Sequence, residues 1–303
     1  MRIFVTGATG FIGSAIVEEL IDAGHQILGL ARSENAARWL VAVGAQVHHG
    51  SLENLESLSG GARSADAVIH AAFNHDFSNY GVAAELDIRA IETLGATLAG
   101  SDRPLIITSG TLLAQTGGPL ATEDDLPNPT FPRKSEQAAA LVAESGVNVL
   151  IVRLPPSVHG QGDHGFVPAL IRVASEKGVS SYIGDGRSRW PAVHRLDAAH
   201  LYRLVLEKGS GGVRYHGVAD QGVPAREIAE VIGRHLRVPV VSKSREDAAN
   251  HFGWIGHFFG IDGPASSAQT QKQLGWLPTQ PGLIADLEMS HYFSEAGVST
   301  AMR

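Results

Sequence analysis

Along the first half of the chain, short unbroken apolar runs alternate with longer stretches of helical spacing. "RIFVTG" is such a run, ended by glycine, and "FIGSAIVEELIDAGH" follows with Ile12, Ile16, Leu20 and Ile21 on one face. The pair predicts strand, turn and helix. The same alternation predicts strands at "QILGLAR" and "AQVHHG" and helices at "ENAARWLVAVG" and "ENLESLSGG". "DAVIHAAF" and "PLIITSG" make a fourth and fifth strand around the helical "GVAAELDIRAIETLGATLAG", and "VNVLIVRLPP" makes a sixth. Strands joined by crossover helices run parallel, so the pattern predicts an α/β fold: an open, doubly wound Rossmann sheet with ligands at the carboxyl ends of its strands.

After Pro156 the alternation loosens into glycine-rich loops, "HGQGDHG" and "GDGRSRW", between helices and short strands. Residues 1–156 are expected to form the dinucleotide-binding domain and 157–303 mainly a smaller substrate-covering lobe. "RLDAAHLYRLVLEKG" and "PAREIAEVIGRHL" read as amphipathic helices, with "VRYHGVA" between them able to rejoin the main sheet. Asp197, near the start of the first, is expected to cap its N-terminus.

Composition narrows the class. Hydrophobic residues make up 44% and charged residues 18%, as in a globular protein, and the net charge of −7 argues against a nucleic-acid surface. With no cysteine there are no disulfides or thiolate metal sites. No apolar run reaches the ~18 residues of a membrane span, and "MRIFVTGATGFIG" lacks the apolar core of a signal peptide. The expectation is a cytoplasmic monomer or homodimer that binds a small-molecule substrate.

Gly7, Gly10 and Gly13 in "TGATGFIG" fall between the first strand and its helix, where a tight turn must let a pyrophosphate approach. The amides of Phe11, Ile12 and Gly13 would then face it at the positive end of the helix. Arg32 lies at the end of the second strand, about 20 residues beyond the last glycine, where a ribose-reading side chain is expected. An acid there would accept from a 2′-hydroxyl, whereas arginine suits a 2′-phosphate, so NADP(H) is favoured over NAD(H). Glu34 is close by, and a solvated surface charge is the plainer role for Arg32.

With these motifs the chain resembles the extended branch of the short-chain dehydrogenase/reductase superfamily, in which T-G-x-x-G-x-x-G opens the chain. "HGSLENLESL", "DAVIHAAF", "IITSG", "VRLPPSVHGQG" and "RWPAVHRLDAA" follow in the order of the family's landmarks. The resemblance implies that Ser51 and Leu52 lie near adenine and that Ala71, Ala72 and Phe73 run along the cofactor. It also implies that Pro155, Ser157 and Val158 sit beside the nicotinamide amide. The family's usual chemistry needs a tyrosine acid, a lysine four residues later and a serine or threonine after the fifth strand. None of the five tyrosines, Tyr80, Tyr182, Tyr202, Tyr215 and Tyr292, has that lysine. Matching "PTFPRKSEQAAA" to the tyrosine helix puts Pro132 at the tyrosine, in the helix's first turn, Glu136 at the lysine and Gly110 near the serine. The chain is thereby identified as an atypical member.

A proton donor must then come from elsewhere, and histidine suits the work near neutral pH. "AAFNHDFSNY" places His75 and Asp76 beyond the fourth strand, and "SVHGQGDHGF" adds His159 and His164. "SRWPAVHRLD" adds Arg189, Trp190 and His194 as substrate contacts. His75 is the first candidate acid and His159 the second, with Ser109 and Thr111 able to orient a substrate oxygen. Most of the 14 histidines must serve as ordinary surface or loop hydrogen-bonders. No metal is expected, since neither His251 and His257 nor His159 and His164 form the helical i, i+4 pair with glutamate of zinc hydrolases. Three functions fit: an NADP(H)-dependent oxidoreductase acting on a small carbonyl or unsaturated compound, a non-catalytic NADP-binding sensor, or an epimerase or dehydratase using the cofactor transiently.

Overall fold

In the first half of the molecule every apolar run is a strand and every helical stretch returns the chain to the same sheet. The structure, a computed structural model, describes residues 1–74 and 79–293. In chain order come β1 (Arg2–Thr6), α1 (Phe11–Asp22), β2 (Gln26–Ala31), α2 (Glu34–Ala42), β3 (Gln46–His49), α3 (Leu55–Arg63), β4 (Ala67–His70), α4 (Tyr80–Leu98), β5 (Leu105–Gly110), α5 (Ser135–Glu144) and β6 (Val149–Leu154). The second half adds β7 (Ser157–His159), α6 (Phe166–Lys177), β8 (Ser180–Ile183), β9 (Arg189–His194), α7 (Arg195–Lys208), β10 (Arg214–His216), β11 (Asp220–Pro224), α8 (Ala225–Leu236) and β12 (Val240–Lys243). Short helices α9 (Arg245–Phe252), α10 (Ile255–Phe259), α11 (Ala268–Leu274) and α12 (Leu283–Leu287) follow.

Seven strands form one parallel sheet in the order β10-β6-β5-β4-β1-β2-β3, so the strand order reverses between β1 and β4. The central strands are buried on both faces, and this is why they read as continuous apolar runs rather than as alternation. Ile3, Val5, Ile69 and Ile106 face α1 and α7, while Phe4, Val68, Leu105 and Ile107 face α3, α4 and α5. "VRYHGVA" does rejoin the sheet: β10 within it pairs in parallel with β6. A separate core of Val167, Trp190, Ile228, Phe259 and Leu287 holds the second lobe, with a three-stranded sheet β11-β9-β7 and the pair β12-β8. Among the described residues no helix is long and apolar enough to cross a membrane.

Two local expectations are corrected. Helix α7 is capped by His194, whose Nδ1 accepts from the Leu196 amide at 3.2 Å. Asp197 lies one turn inside, buried, and accepts instead from the amides of Thr279 (2.9 Å) and Gln280 (3.0 Å), fastening the segment after α11. Helix α5 begins only at Ser135, so Pro132 precedes it. Asn128 explains the delay: its side chain accepts from the Thr130 amide and its own amide donates to Leu113 O. Residues 128–130 are thus held in a turn against the strand-end segment instead of starting the helix.

Candidate active site

The glycines of the first turn have separate tasks. Gly7 has φ +69°, and a Cβ on it would lie 2.8 Å from the Ala72 backbone; one on Gly13 would lie 1.9 Å from Gly7 O. Both are fixed by the chain's own close approaches. Gly10 is different, because a Cβ there meets only Gly7 O, at 3.2 Å, and otherwise projects out of the loop. As the N-cap of α1 it also has no side chain to offer, which leaves the first-turn amides at Phe11, Ile12 and Gly13 for an anion. These features fit a dinucleotide pyrophosphate. The start of α7 reaches this turn: Arg195 lies 4.9 Å over the Phe11 ring, donates to Ser14 Oγ at 3.0 Å and to Gln161 O, on the loop after β7, at 3.1 Å. His164 meets the same ring edge-on at 5.7 Å.

At the far end of β2, Arg32 is exposed, and Ser33 beside it caps α2 by accepting from the Ala36 amide. The Glu53 carboxyl is held below its usual range by a hydrogen bond from Ser51, helped by a backbone bond and by the charge of Arg32. Arg32, Ser51 and Glu53 thus share one polar corner, with Leu52 packed against the α3 and α4 side of the sheet.

A layer of buried polar side chains crosses the carboxyl ends of β1, β4, β5 and β6, beneath α4 and α5. Thr6 Oγ1 and His70 Nδ1 are 2.8 Å apart, His70 Nε2 is 3.3 Å from Asp87 Oδ1, and Ser135 Oγ donates to Asp87 Oδ2. Burial pushes the Asp87 carboxyl up, but the nearby Arg133 charge and the His70 and Ser135 hydrogen bonds outweigh it and hold Asp87 low. Farther along, Glu136 receives Ser109 Oγ (2.7 Å), both Nε and Nη2 of Arg153 (2.7 and 2.8 Å) and Arg214 Nε (3.0 Å). It too is held low against the opposing effect of burial. Ser109 is thereby occupied by the residue in the lysine's place. Thr111 is 2% exposed and its Oγ1 has no hydrogen-bond partner among the described residues; the same holds for Ser157 Oγ, just past Pro155.

Beside Asp87 lies Arg133, with Nε 3.7 Å from Asp87 Oδ2. Its Nη2 donates to Thr108 O at 2.8 Å, its Nε to Ser135 Oγ at 2.7 Å, and its guanidinium stacks 4.0 Å from the Phe73 ring centre. Phe73 in turn lies 5.9 Å from the Tyr80 ring. Burial pushes the Tyr80 phenol up, with the Arg133 charge only partly opposing, the reverse of what an acid near neutral pH requires. Sequence reasoning passed over Arg133, Asp87, His70 and Thr6. The available signal was a lone aspartate on the otherwise apolar inward face of α4 and an arginine beside the lost tyrosine.

His75 and Asp76 lie outside the described residues. His159 does not stand on an open rim. It is fully buried in the second lobe, with Nδ1 2.8 Å from Asp286 Oδ2 and its ring edge 5.5 Å from His194. Burial, and next the His159 charge, lower the His194 pKa. The loop beyond is tied by Tyr292, which receives the Gly160 amide (3.2 Å) and donates to Asp163 Oδ2 (3.0 Å). Asp163 is part-exposed as a residue, yet its carboxyl turns inward onto Tyr292, and burial raises it to about 6. Trp190 is fully buried between Phe166 and Phe259, which gives it a packing role, and Arg189 is held by Asp262 through two side-chain hydrogen bonds of 2.9 and 2.8 Å.

A family profile for NAD(P)H binding matches residues 7–180, more than half of the chain. The chain belongs to the NAD(P)H-binding family. It is 52% identical over 295 residues to the uncharacterized protein C2A9.02 of Schizosaccharomyces pombe, covering 97% of this chain and 100% of that one. It is 30% identical over 231 residues to the 4-hydroxy-2-methyl-3-oxo-4-farnesyl-3,4-dihydroquinoline-1-oxide ketoreductase of Stigmatella aurantiaca, covering 71% and 67%. Among solved structures, the dTDP-glucose 4,6-dehydratase DesIV of Streptomyces venezuelae, with NAD and TYD bound, superposes with a TM-score of 0.78 over 98% of both chains at 22% identity. At that identity the likeness concerns the fold, and it agrees with the extended short-chain dehydrogenase/reductase resemblance of the motifs.

Proposed function

We propose that this NAD(P)H-binding protein is an oxidoreductase that prefers NADP(H) and reduces a small carbonyl or unsaturated compound. The observation that carries the cofactor preference is the exposed Arg32 guanidinium just past β2, close enough to Glu53 for its charge to be felt there. A 2′-phosphate in that corner would find a charge-assisted donor, whereas a 2′-hydroxyl would leave Arg32 facing only Glu53. Reductive chemistry is supported by the polar layer converging on the strand ends and by the likeness to a ketoreductase. Bound NADPH would supply the hydride. The protein's own part is to hold the pyrophosphate on the Gly10 turn, to shield it with Arg195 of α7 and His164 of the loop after β7, and to orient substrate with Thr111.

Fluorescence titration tests the preference. Wild type is expected to bind NADPH about 10–100-fold more tightly than NADH, as a hydrogen bond to a charged group of 1.5–3 kcal/mol implies. Arg32→Ala should remove most of that difference. Equal affinity in the wild type would overturn the preference. Tight NADPH binding without turnover of any ketone, aldehyde or enone in a broad panel would replace the oxidoreductase by a dinucleotide sensor.

A further inference from the structure

We infer that Arg133 is a catalytic residue, a fixed cation that holds the substrate oxygen where the family's tyrosine would have protonated it; this rests on the oxidoreductase reading above. The position follows from contacts within the chain. Ala72 crosses Gly7 of the phosphate turn, Phe73 comes next, and the Arg133 guanidinium carbon lies over the Phe73 ring, 4.0 Å from its centre. The cation is therefore placed one residue beyond the dinucleotide turn, at the carboxyl ends of β4 and β5, where an open α/β sheet keeps its ligand.

Its orientation is constrained on several sides. Thr108 O takes Nη2, Ser135 Oγ takes Nε, Asp87 Oδ2 stands 3.7 Å from Nε, and Phe73 covers one face. Asp87, 1% exposed, is itself fixed by His70 and Ser135, so it serves as a positioning residue for Arg133. The Arg133 side chain is only 13% exposed, and Nη1 makes no hydrogen bond among the described residues. A guanidinium held in this way is a preorganised donor toward developing negative charge. Two of the sequence candidates are occupied, Ser109 by Glu136 and His159 by Asp286 within the second lobe, while Thr111 keeps a hydroxyl that is free among the described residues and can orient substrate beside the cation.

The reaction balances without a protein acid. When a hydride reaches the carbonyl carbon a C–H bond forms, the carbonyl π pair withdraws onto oxygen, and the carbon is reduced as the nicotinamide is oxidised. Arg133 acts on the oxygen as a cation and hydrogen-bond donor, not as the acid, as a guanidinium does. Water supplies the proton that completes the alcohol.

Two measurements on the full-length protein test this. In the first, turnover of any carbonyl reduced by the wild type is followed from pH 6 to 9. Arg133→Gln should lower kcat about 10²–10³-fold with NADPH affinity unchanged within about twofold, and Arg133→Lys should recover part of the loss. The wild-type kcat should show no break from an enzyme acid, and His75→Ala should leave that profile flat. In the second, NADPH-loaded protein is titrated with isobutyrate, a carboxylate standing in for the charged oxygen, and with neutral isobutyramide. Arg133→Gln should weaken isobutyrate at least about tenfold and isobutyramide little, as loss of a charge-assisted bond implies. Unchanged isobutyrate affinity in a folded Arg133→Gln variant, shown by circular dichroism, overturns the inference even if no carbonyl is turned over. So does a pH break that disappears in His75→Ala, because the histidine would then be the acid. Failure of NADPH itself to bind counts against the oxidoreductase reading instead.

Discussion

The buried carboxylates beneath α5 and the one on the loop between β7 and α6 are held in opposite ways. Glu136 and Asp87 lie among arginines, and these, with the surrounding hydrogen bonds, keep both ionised against the cost of burial. Asp163 faces a tyrosine hydroxyl and a backbone amide, with the imidazoles of His164 and His159 rather than arginines nearby, and burial raises its carboxyl to about 6. The first group is a permanent charge pattern built into the sheet; the second changes charge near neutrality on a loop beside the phosphate turn. Burial alone does not decide a carboxylate's state. Whether a guanidinium comes with it does.

The comparison breaks most severely at Glu136. Glu136→Gln leaves Arg153, which is fully buried, without its charge partner, and removing one member of a buried pair costs about 3–5 kcal/mol. Urea unfolding should show that loss, with Arg214 adding to the repulsion, since it uses the same carboxylate. A loss below about 1 kcal/mol would mean that solvent reaches the pair and screens it. The same charges explain why a lysine in the family's place would be expelled here: it would join two arginines.

In the second lobe, Asp286→Asn should cost less. It keeps the shape but weakens the 2.8 Å bond to His159, a hydrogen bond to a charged group worth about 1.5–3 kcal/mol. Unfolding of Asp286→Asn and His159→Ala singly and together should give a coupling of that size. Independent effects would show that the two side chains are neighbours without a shared bond.

The sheet was legible because its central strands are covered on both faces and so read as unbroken apolar runs, and the glycine spacing marked the phosphate turn. That "VRYHGVA" could rejoin the sheet was also read from the pattern, while its place at the edge beside β6 came only with the structure. What the sequence hid was the polar layer, because Thr6, His70, Asp87, Ser109 and Arg153 come from five separate elements, each on a buried face among apolar neighbours. Register brings them together: Thr6 pairs with His70 across β1 and β4, and Ser109 with Arg153 across β5 and β6. Local spacing carries no trace of such pairing. The start of α5 was misjudged for a related reason, since the turn at Asn128 depends on Leu113, far enough away in sequence to escape a local signature.

The smallest expected effect lies at Asp163, and its direction with pH is what sharpens the contrast with Glu136. A carboxyl near 6 in the folded protein and near 3.8 in the unfolded chain binds its proton more tightly when folded. Its contribution to stability is therefore complete below pH ~4, is lost as pH rises through about 6, and is constant above. One pKa unit is about 1.4 kcal/mol, and partial exposure of the loop brings the whole change to about 1–2 kcal/mol. Asp163→Asn keeps an acceptor for the Gly165 amide and a polar group toward Tyr292 while abolishing the titration. Urea unfolding of both proteins at several pH values from 4 to 7.5 should show the wild type losing about 1–2 kcal/mol relative to the variant across that range. Glu136, held low, should show no such trend over the same interval. A difference between Asp163→Asn and wild type that stays constant with pH would mean the carboxylate is ionised throughout, and the loop beside the phosphate turn would then carry the same fixed charge as the layer beneath α5.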